Sequence, residues 1–281
     1  MKQKQNHPLS LTREGGISAD FLKTVALVTM LIDHIGAGIL ERILIDGRVT
    51  DAALYGKIYH VDSILRIIGR ISFPLFCFLL VEGYLHTRSR AKYALRLLLF
   101  ALLSEIPFDL VFSGSLNPDS QNVFWTLLIG LLTIWGTDRA RAIFERRRGA
   151  LRAITETAGI LVVAAAGMAA AWLLKTDYSW RGVLLIAVIR FLMRDRLLLA
   201  IDAPCLFLLT EFLELLTGGR SVSSSLETVL SHMTVFLSFL LILFYNGKRR
   251  RKGHRYFFYL FYPLHLLILY FLRQLLYALY L

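Results

Sequence analysis

Residues Leu27–Leu40 read LVTMLIDHIGAGIL, apolar throughout except for Asp33 and His34. The run extends back to Phe21, and 21–40 together supply the roughly 20 residues a helix needs to cross a bilayer. Ionisable groups in such a span cost on the order of 2.5–3.5 kcal/mol each on insertion scales, so by default they mark function. A membrane protein with chemistry inside the membrane is expected.

The rest of the chain agrees with that expectation. Of its 281 residues 56% are hydrophobic, and mean hydropathy is +0.58. Runs of about 17–25 residues with few charges fall near 21–40, 64–84, 91–112, 122–138, 154–174, 179–194, 196–216, 228–245 and 256–279. These predict an all-α, polytopic transmembrane helix bundle of about nine helices. It forms a single domain over 1–281, opened by a polar segment, 1–20. The first run is longer than a signal-peptide core and has no small-x-small cleavage site, so it is expected to be retained.

The net charge of +12 would suggest nucleic acid as a partner for a soluble protein. Here the basic residues alternate by loop. The loops after helices two, four, six and eight hold about eighteen Lys and Arg, against six on the other side. The positive-inside rule then puts the N-terminus in the cytoplasm and the C-terminus outside, in the plasma (inner) membrane, with the lipid bilayer as partner and no nucleic acid. Cys77 and Cys205 have no metal-ligand spacing, and neither HExxH nor GxSxG occurs, so no metal and no serine-hydrolase elbow are expected. Helix five is dense in Gly and Ala, the composition of a close-packing element.

Helix geometry groups the polar residues. Lys23 and His34 are eleven positions apart, which returns to nearly the same helix face about 16 Å along the axis. Arg66 and Arg70 share a face at i,i+4, and so do Glu105 and Asp109. Counted by depth, Arg66 matches Asp109 and Arg70 matches Glu105. His34 lies level with the second pair. Asn122 and Trp125 enter at about that level, and Pro107 would bend helix three beside them. A histidine held by an acid such as Asp33 or Glu105 can act as general base or nucleophile. Blander roles stand beside these. Arg66–Asp109 could be a fold-fixing pair, and His265, in FYPLHLLILY, a packing histidine. Glu82 could pair with a basic loop residue, and Arg96 and Arg273 could snorkel to the interfaces.

Four segments carry a resemblance: LKTVALVTMLIDHIGAGIL, LRIIGRISFPLFCFLLVEGYLHTRSRAKYALRLLLFALLSEIPFDLVF, NVFWTLLIGLL and YPLHLLIL. They resemble the TraX family of integral-membrane acetyltransferases, named for the enzyme that acetylates the N-terminus of conjugative F pilin. The Lys23-to-His34 spacing is also similar to a signature of the wider transmembrane acyltransferase superfamily. The resemblance implies an acetyl-CoA-dependent acetyltransferase. His34 would be the catalytic histidine, assisted by Asp33 or Glu105. Lys23, with Arg88, Arg90 and Lys92, would meet the acetyl-CoA phosphates from the cytoplasm. Arg66, Arg70, Asp109, Asn122, Trp125 and His265 are the candidate substrate-facing residues, with Arg70 or Asn122 stabilising the oxyanion. Many superfamily relatives have arginine where this chain has Lys23, a departure that bears on bidentate phosphate contact. The acceptor would be a peptide N-terminal amine or a glycan. A proton-coupled transporter is the rival from another class, and a structural scaffold leaves the intramembrane charges unexplained.

Overall fold

A computed structural model describes residues 15–144, 150–248 and 255–280. The polar residues 1–14 and the basic tracts Arg146–Arg148 and Arg249–Lys252 lie outside the described residues. Within the described residues no strand forms, and the helices join into nine rods. These are α1 (Ala19–Ile45), α2 (Ala52–His86), α3 (Arg90–Phe112), α4 (Val123–Phe144), α5 (Ala150–Leu173), α6 (Ser179–Leu192), α7 (Arg196–Thr217), α8 (Val222–Leu243) and α9 (Arg255–Tyr280). Each run read from the sequence falls on one rod. Five of the rods, α1, α2, α5, α8 and α9, are long and apolar enough to cross a membrane. The other four are helical as expected, but α6 is only 14 residues long and α3, α4 and α7 carry more charge.

The chain divides into two compact units. The first comprises Met1–Leu79, Phe191–Phe258 and Phe271–Leu281. Its α1 begins where Ser18 Oγ accepts from Phe21 N at 3.2 Å, an N-cap that satisfies one of the orphan donors of the first turn. Ile17 N donates to Phe244 O at 2.9 Å and Asn246 N to Ile17 O at 2.9 Å, which ties that start to the end of α8.

Two rods of this unit are broken and a third is locally widened. α1 passes through a π turn at Gly36–Leu40. Arg70 and Ile71 interrupt α2 just before Pro74, whose missing N–H removes a helical bond. The break in α8 falls at His232–Thr234. The hydroxyls of Thr234 and Ser238 donate to Ile67 O at 2.7 Å and Ile71 O at 2.9 Å. Side-chain hydroxyls thus supply donors to the interrupted backbone, as an apolar setting without water requires.

The second unit comprises Leu80–Arg190 and Tyr259–Tyr270. In it α5 packs on α4 through glycines. A Cβ at Gly136 would stand 2.8 Å from Val163 Cγ1, one at Gly159 would stand 2.8 Å from Phe144 Cε2, and one at Gly167 would overlap Thr133 Oγ1. The small residues of α5 therefore do set its packing face. Its other face leaves Leu161, Val162 and Trp172 exposed, apolar surface suited to lipid. Leu131, Ile134, Val183, Ile186 and Ile189 are buried between α4 and α6.

The connection after α5 holds the start of α4. Gln121 N donates to Lys175 O at 3.1 Å and Asp177 N to Gln121 O at 2.8 Å, while Lys175 Nζ reaches Asp119 Oδ1 at 2.5 Å. Lys175, Tyr178 and Ser179 adopt positive φ there. Non-glycine residues pay for that conformation, and the surrounding bonds hold it.

Candidate functional site

Within the first unit, the charged residues of α1 and α2 form one group. Residues 19–35 are unbroken α-helix, so Lys23 and His34 keep the common face that their spacing predicts. His34, half-buried, is the second-to-last residue before the π turn. Such turns recur at functional sites because they offset side chains and backbone from regular positions. Lys23 Nζ lies 3.4 Å from Asp20 Oδ1 and 5.2 Å over the Phe258 ring, and its side chain is 36% exposed.

Arg66 meets a carboxylate other than the one expected. Its Nη1 donates to Asp33 Oδ2 at 2.6 Å, where the depth count assigned Asp109. Depth counting compares heights along the membrane normal and ignores which faces of neighbouring helices meet. Antiparallel α1 and α2 meet at Gly36 and Gly69. A Cβ on Gly69 would overlap the Asp33 side chain, and one on Gly36 would stand 2.7 Å from Asp62 Oδ1 and 3.3 Å from Arg66 Cδ. Arg66 Nε also stands 4.0 Å from Glu41 Oε2, and Arg70 is close enough to act on Asp33 by charge. Asp62, buried to 8% exposure, belongs to the same group.

Arg273, expected to snorkel, is instead 1% exposed and donates to Gly38 O in the π turn at 2.8 Å. The widened turn presents a carbonyl that a buried guanidinium satisfies.

The second unit assembles Glu105, Asn122 and Trp125. Asn122, fully buried just before α4, donates through Nδ2 to Glu105 Oε1 at 2.6 Å and to Ala101 O at 2.8 Å, and its Oδ1 accepts from Phe124 N at 3.0 Å. Trp125 Nε1 donates to the same Glu105 oxygen. The Asn122 amide, expected to face an oxyanion, is thus committed to Glu105 and to the α3 backbone. Asp109 accepts from Asn117 N at 3.0 Å, and the α3 helix runs through Pro107 to Phe112.

His265 is 4% exposed, stacked at 4.9 Å on Phe261. Its Nδ1 lies 2.7 Å from Phe261 O, which can only accept, so Nδ1 carries the proton. Arg90 lies 4.6 Å over the Tyr84 ring, while Arg88 and Lys92 are exposed. Glu82 pairs with His86 one turn along, at 3.6 Å, in place of a loop residue.

The residues grouped by depth therefore form two constellations: His34, Asp33, Arg66 and Arg70 in one unit, and Glu105, Asn122 and Trp125 in the other. Several neighbours carried no sequence signal. Glu41 and Asp62 look like surface residues of polar helix ends, and the π turn was hinted at only by the Gly36 and Gly38 pair. Tyr84, Asp138 and Arg190 are far apart in sequence, yet Tyr84 Oη donates to Asp138 Oδ2 at 2.7 Å and Arg190 Nη2 to Asp138 Oδ1 at 2.9 Å. His232 and Glu211 likewise pair at 3.0 Å.

Comparison with known proteins gives a consistent result. The family model described as TraX protein matches residues 18–273. The probable fimbrial assembly protein FimC, serogroup H1, of Dichelobacter nodosus is 29% identical over 271 residues, 92% of this chain and 97% of that protein. Uncharacterized protein RP591 of Rickettsia prowazekii (strain Madrid E) is 30% identical over 116 residues, 41% of this chain and 36% of that protein. No solved structure matches the chain.

Proposed function

From the premise that this chain belongs to the TraX family, we propose that it is an inner-membrane acetyltransferase that moves an acetyl group from cytoplasmic acetyl-CoA to a peptide N-terminal amine on the other side. The observation that carries the reading is the extent of the match, residues 18–273, which includes His34 and every other residue assigned a role below. The name of the Dichelobacter nodosus relative supports a fimbrial subunit as the class of acceptor.

In this mechanism Lys23, with Arg88, Arg90 and Lys92, neutralises the phosphates of acetyl-CoA by charge. His34 takes a proton from the acceptor amine as its nitrogen attacks the thioester carbonyl. The carbon–sulfur bond breaks, and the imidazolium returns the proton to the departing thiolate. Arg70 is the donor proposed for the developing oxyanion. Arg66, hydrogen-bonded to Asp33 beside His34, holds α1 and α2 in register at the site. Glu105, with Asn122 and Trp125, is assigned to support of the site from its own unit.

The test is acetyl-CoA binding to the purified full chain, wild type beside Lys23→Ala and His34→Ala, with transfer to a peptide followed by mass. Saturable binding that weakens in Lys23→Ala, with transfer lost in His34→Ala, is expected. Full transfer activity in a folded His34→Ala protein would falsify the assignment. A second reading, proton-coupled transport, draws on the broken rods α2 and α8, the kind of interruption that lines transport sites. Proton-driven uptake with no acetyl-CoA binding would favour it.

A further inference from the structure

The group around Arg66 contains more negative than positive charge. Asp33, Glu41 and Asp62 supply three carboxylates against the guanidiniums of Arg66 and Arg70. Arg66 leans to one side: its Nη1 is spent on Asp33 at 2.6 Å, while Glu41 is 4.0 Å from its Nε. Asp62 stands one turn before Arg66 on α2, with Glu41 as a neighbouring like charge. Asp62 is 8% exposed, and its buried Oδ1 has no hydrogen-bond partner. That oxygen points at Gly36, in the π turn two residues after His34, where even a Cβ would crowd it at 2.7 Å. Two like carboxylates, one of them buried without a donor, are stable together only when a cation or a proton joins them. Glu41, with a side chain 46% exposed, opens the pair to solvent.

We propose that Asp62 and Glu41 bind the acceptor as a primary ammonium, holding the peptide N-terminus beside His34 before transfer. An ammonium brings one positive charge and three donors, which matches an orphan carboxylate oxygen with an acidic neighbour. A sugar hydroxyl brings one donor and no charge, and would leave the carboxylates uncompensated. The chemistry thus selects an amine acceptor over a glycan. Asp62 and Glu41 are binding residues in this scheme and take no part in bond making. The inference rests on the acetyltransferase reading for the identity of the ligand, but the ammonium site itself can be tested without it.

The experiment is calorimetric titration of the full chain in lipid nanodiscs with tetraalanine amide bearing a free N-terminus, and with its N-acetylated form. Acetyl-CoA is titrated into the same preparations. The free peptide is expected to bind and the acetylated one not. Asp62→Asn and Glu41→Gln are each expected to weaken the free peptide by about tenfold or more, with acetyl-CoA affinity unchanged. Glu41→Gln alters a half-exposed side chain, so it decides the matter if Asp62→Asn fails to fold. Wild-type affinity in both variants, no binding to wild type, or equal binding of the two peptides overturns the proposal. Acetyl-CoA binding with an unaltered peptide affinity in the variants would sink the ammonium site alone. Peptide binding that depends on Asp62 without any acetyl-CoA binding would sink the acetyltransferase reading alone.

Discussion

Asp33 Oδ2 accepts from Arg66 Nη1 at 2.6 Å, joining α1 to α2 one residue before His34. Both side chains are largely out of solvent, at 14% and 27% exposure. Breaking such a pair from the cationic side leaves Asp33 among the like charges of Glu41 and Asp62. Arg66→Met is therefore expected to destabilise the chain by about 3 kcal/mol, and Asp33→Asn by less. A double-mutant cycle on unfolding in detergent checks this. Strictly additive effects would mean that the two residues are not coupled.

Gly69 makes that contact possible. A Cβ at this position overlaps the Asp33 side chain, so Gly69→Ala must push α1 away from α2 or turn Asp33 out of its bond. The expected cost is about 1–3 kcal/mol, read as a lowered thermal midpoint. Gly56, with open space around it, is the control, and Gly56→Ala should leave the midpoint unchanged or raise it. Equal behaviour of the two variants would contradict the packing.

Asn122 is expected to be more sensitive to charge than to size. Asn122→Ala removes two donated bonds and exposes the loss at Glu105 and Ala101 O, at about 1–3 kcal/mol. Asn122→Asp keeps the shape but turns a second carboxylate onto Glu105, and should be worse. If Asn122→Asp proved the milder change, the Glu105 contact would not hold in solution.

The α4–α5 seam offers a separate stability probe. Gly167→Val places branched carbon into Thr133 and should lower the midpoint, with Thr133→Ala partly restoring it by vacating the space. No rescue in the double variant would show that the collision lies elsewhere.

At the loop joining α4 to the α5–α6 turn, the Lys175 hydrogen bond and charge hold the Asp119 carboxyl below its ordinary 3.8. A depressed folded value means that the contribution is present above about pH 4 and is lost as pH falls through the folded value. Both groups are exposed, so the effect is small. The wild-type midpoint should fall slightly more steeply than that of Lys175→Ala as pH drops from about 5 to 3. Parallel curves would show that the link contributes nothing.

The sequence was informative wherever the physics is local. A helix in an apolar setting must satisfy its own backbone, so length and hydropathy of each run were enough to locate all nine rods, including short α6. The α5 glycines declared their packing role by spacing, and the Lys23–His34 face followed from unbroken helical geometry. The family resemblance rested on residues contiguous in the chain.

Partner choice was not local, and there the tertiary structure decided. Arg66 pairs with Asp33 because Gly36 and Gly69 let α1 and α2 approach on those faces, which no depth count along a single helix contains. The π turn, the buried Arg273 on Gly38 O, and the Thr234 and Ser238 hydroxyls at the α2 break arise only when segments as much as 235 residues apart meet. Asp62 and Glu41 were invisible for the same reason. A carboxylate near the end of a polar helix reads as solvated until the neighbouring helix removes its water, and burial is a property of the assembled pair of helices.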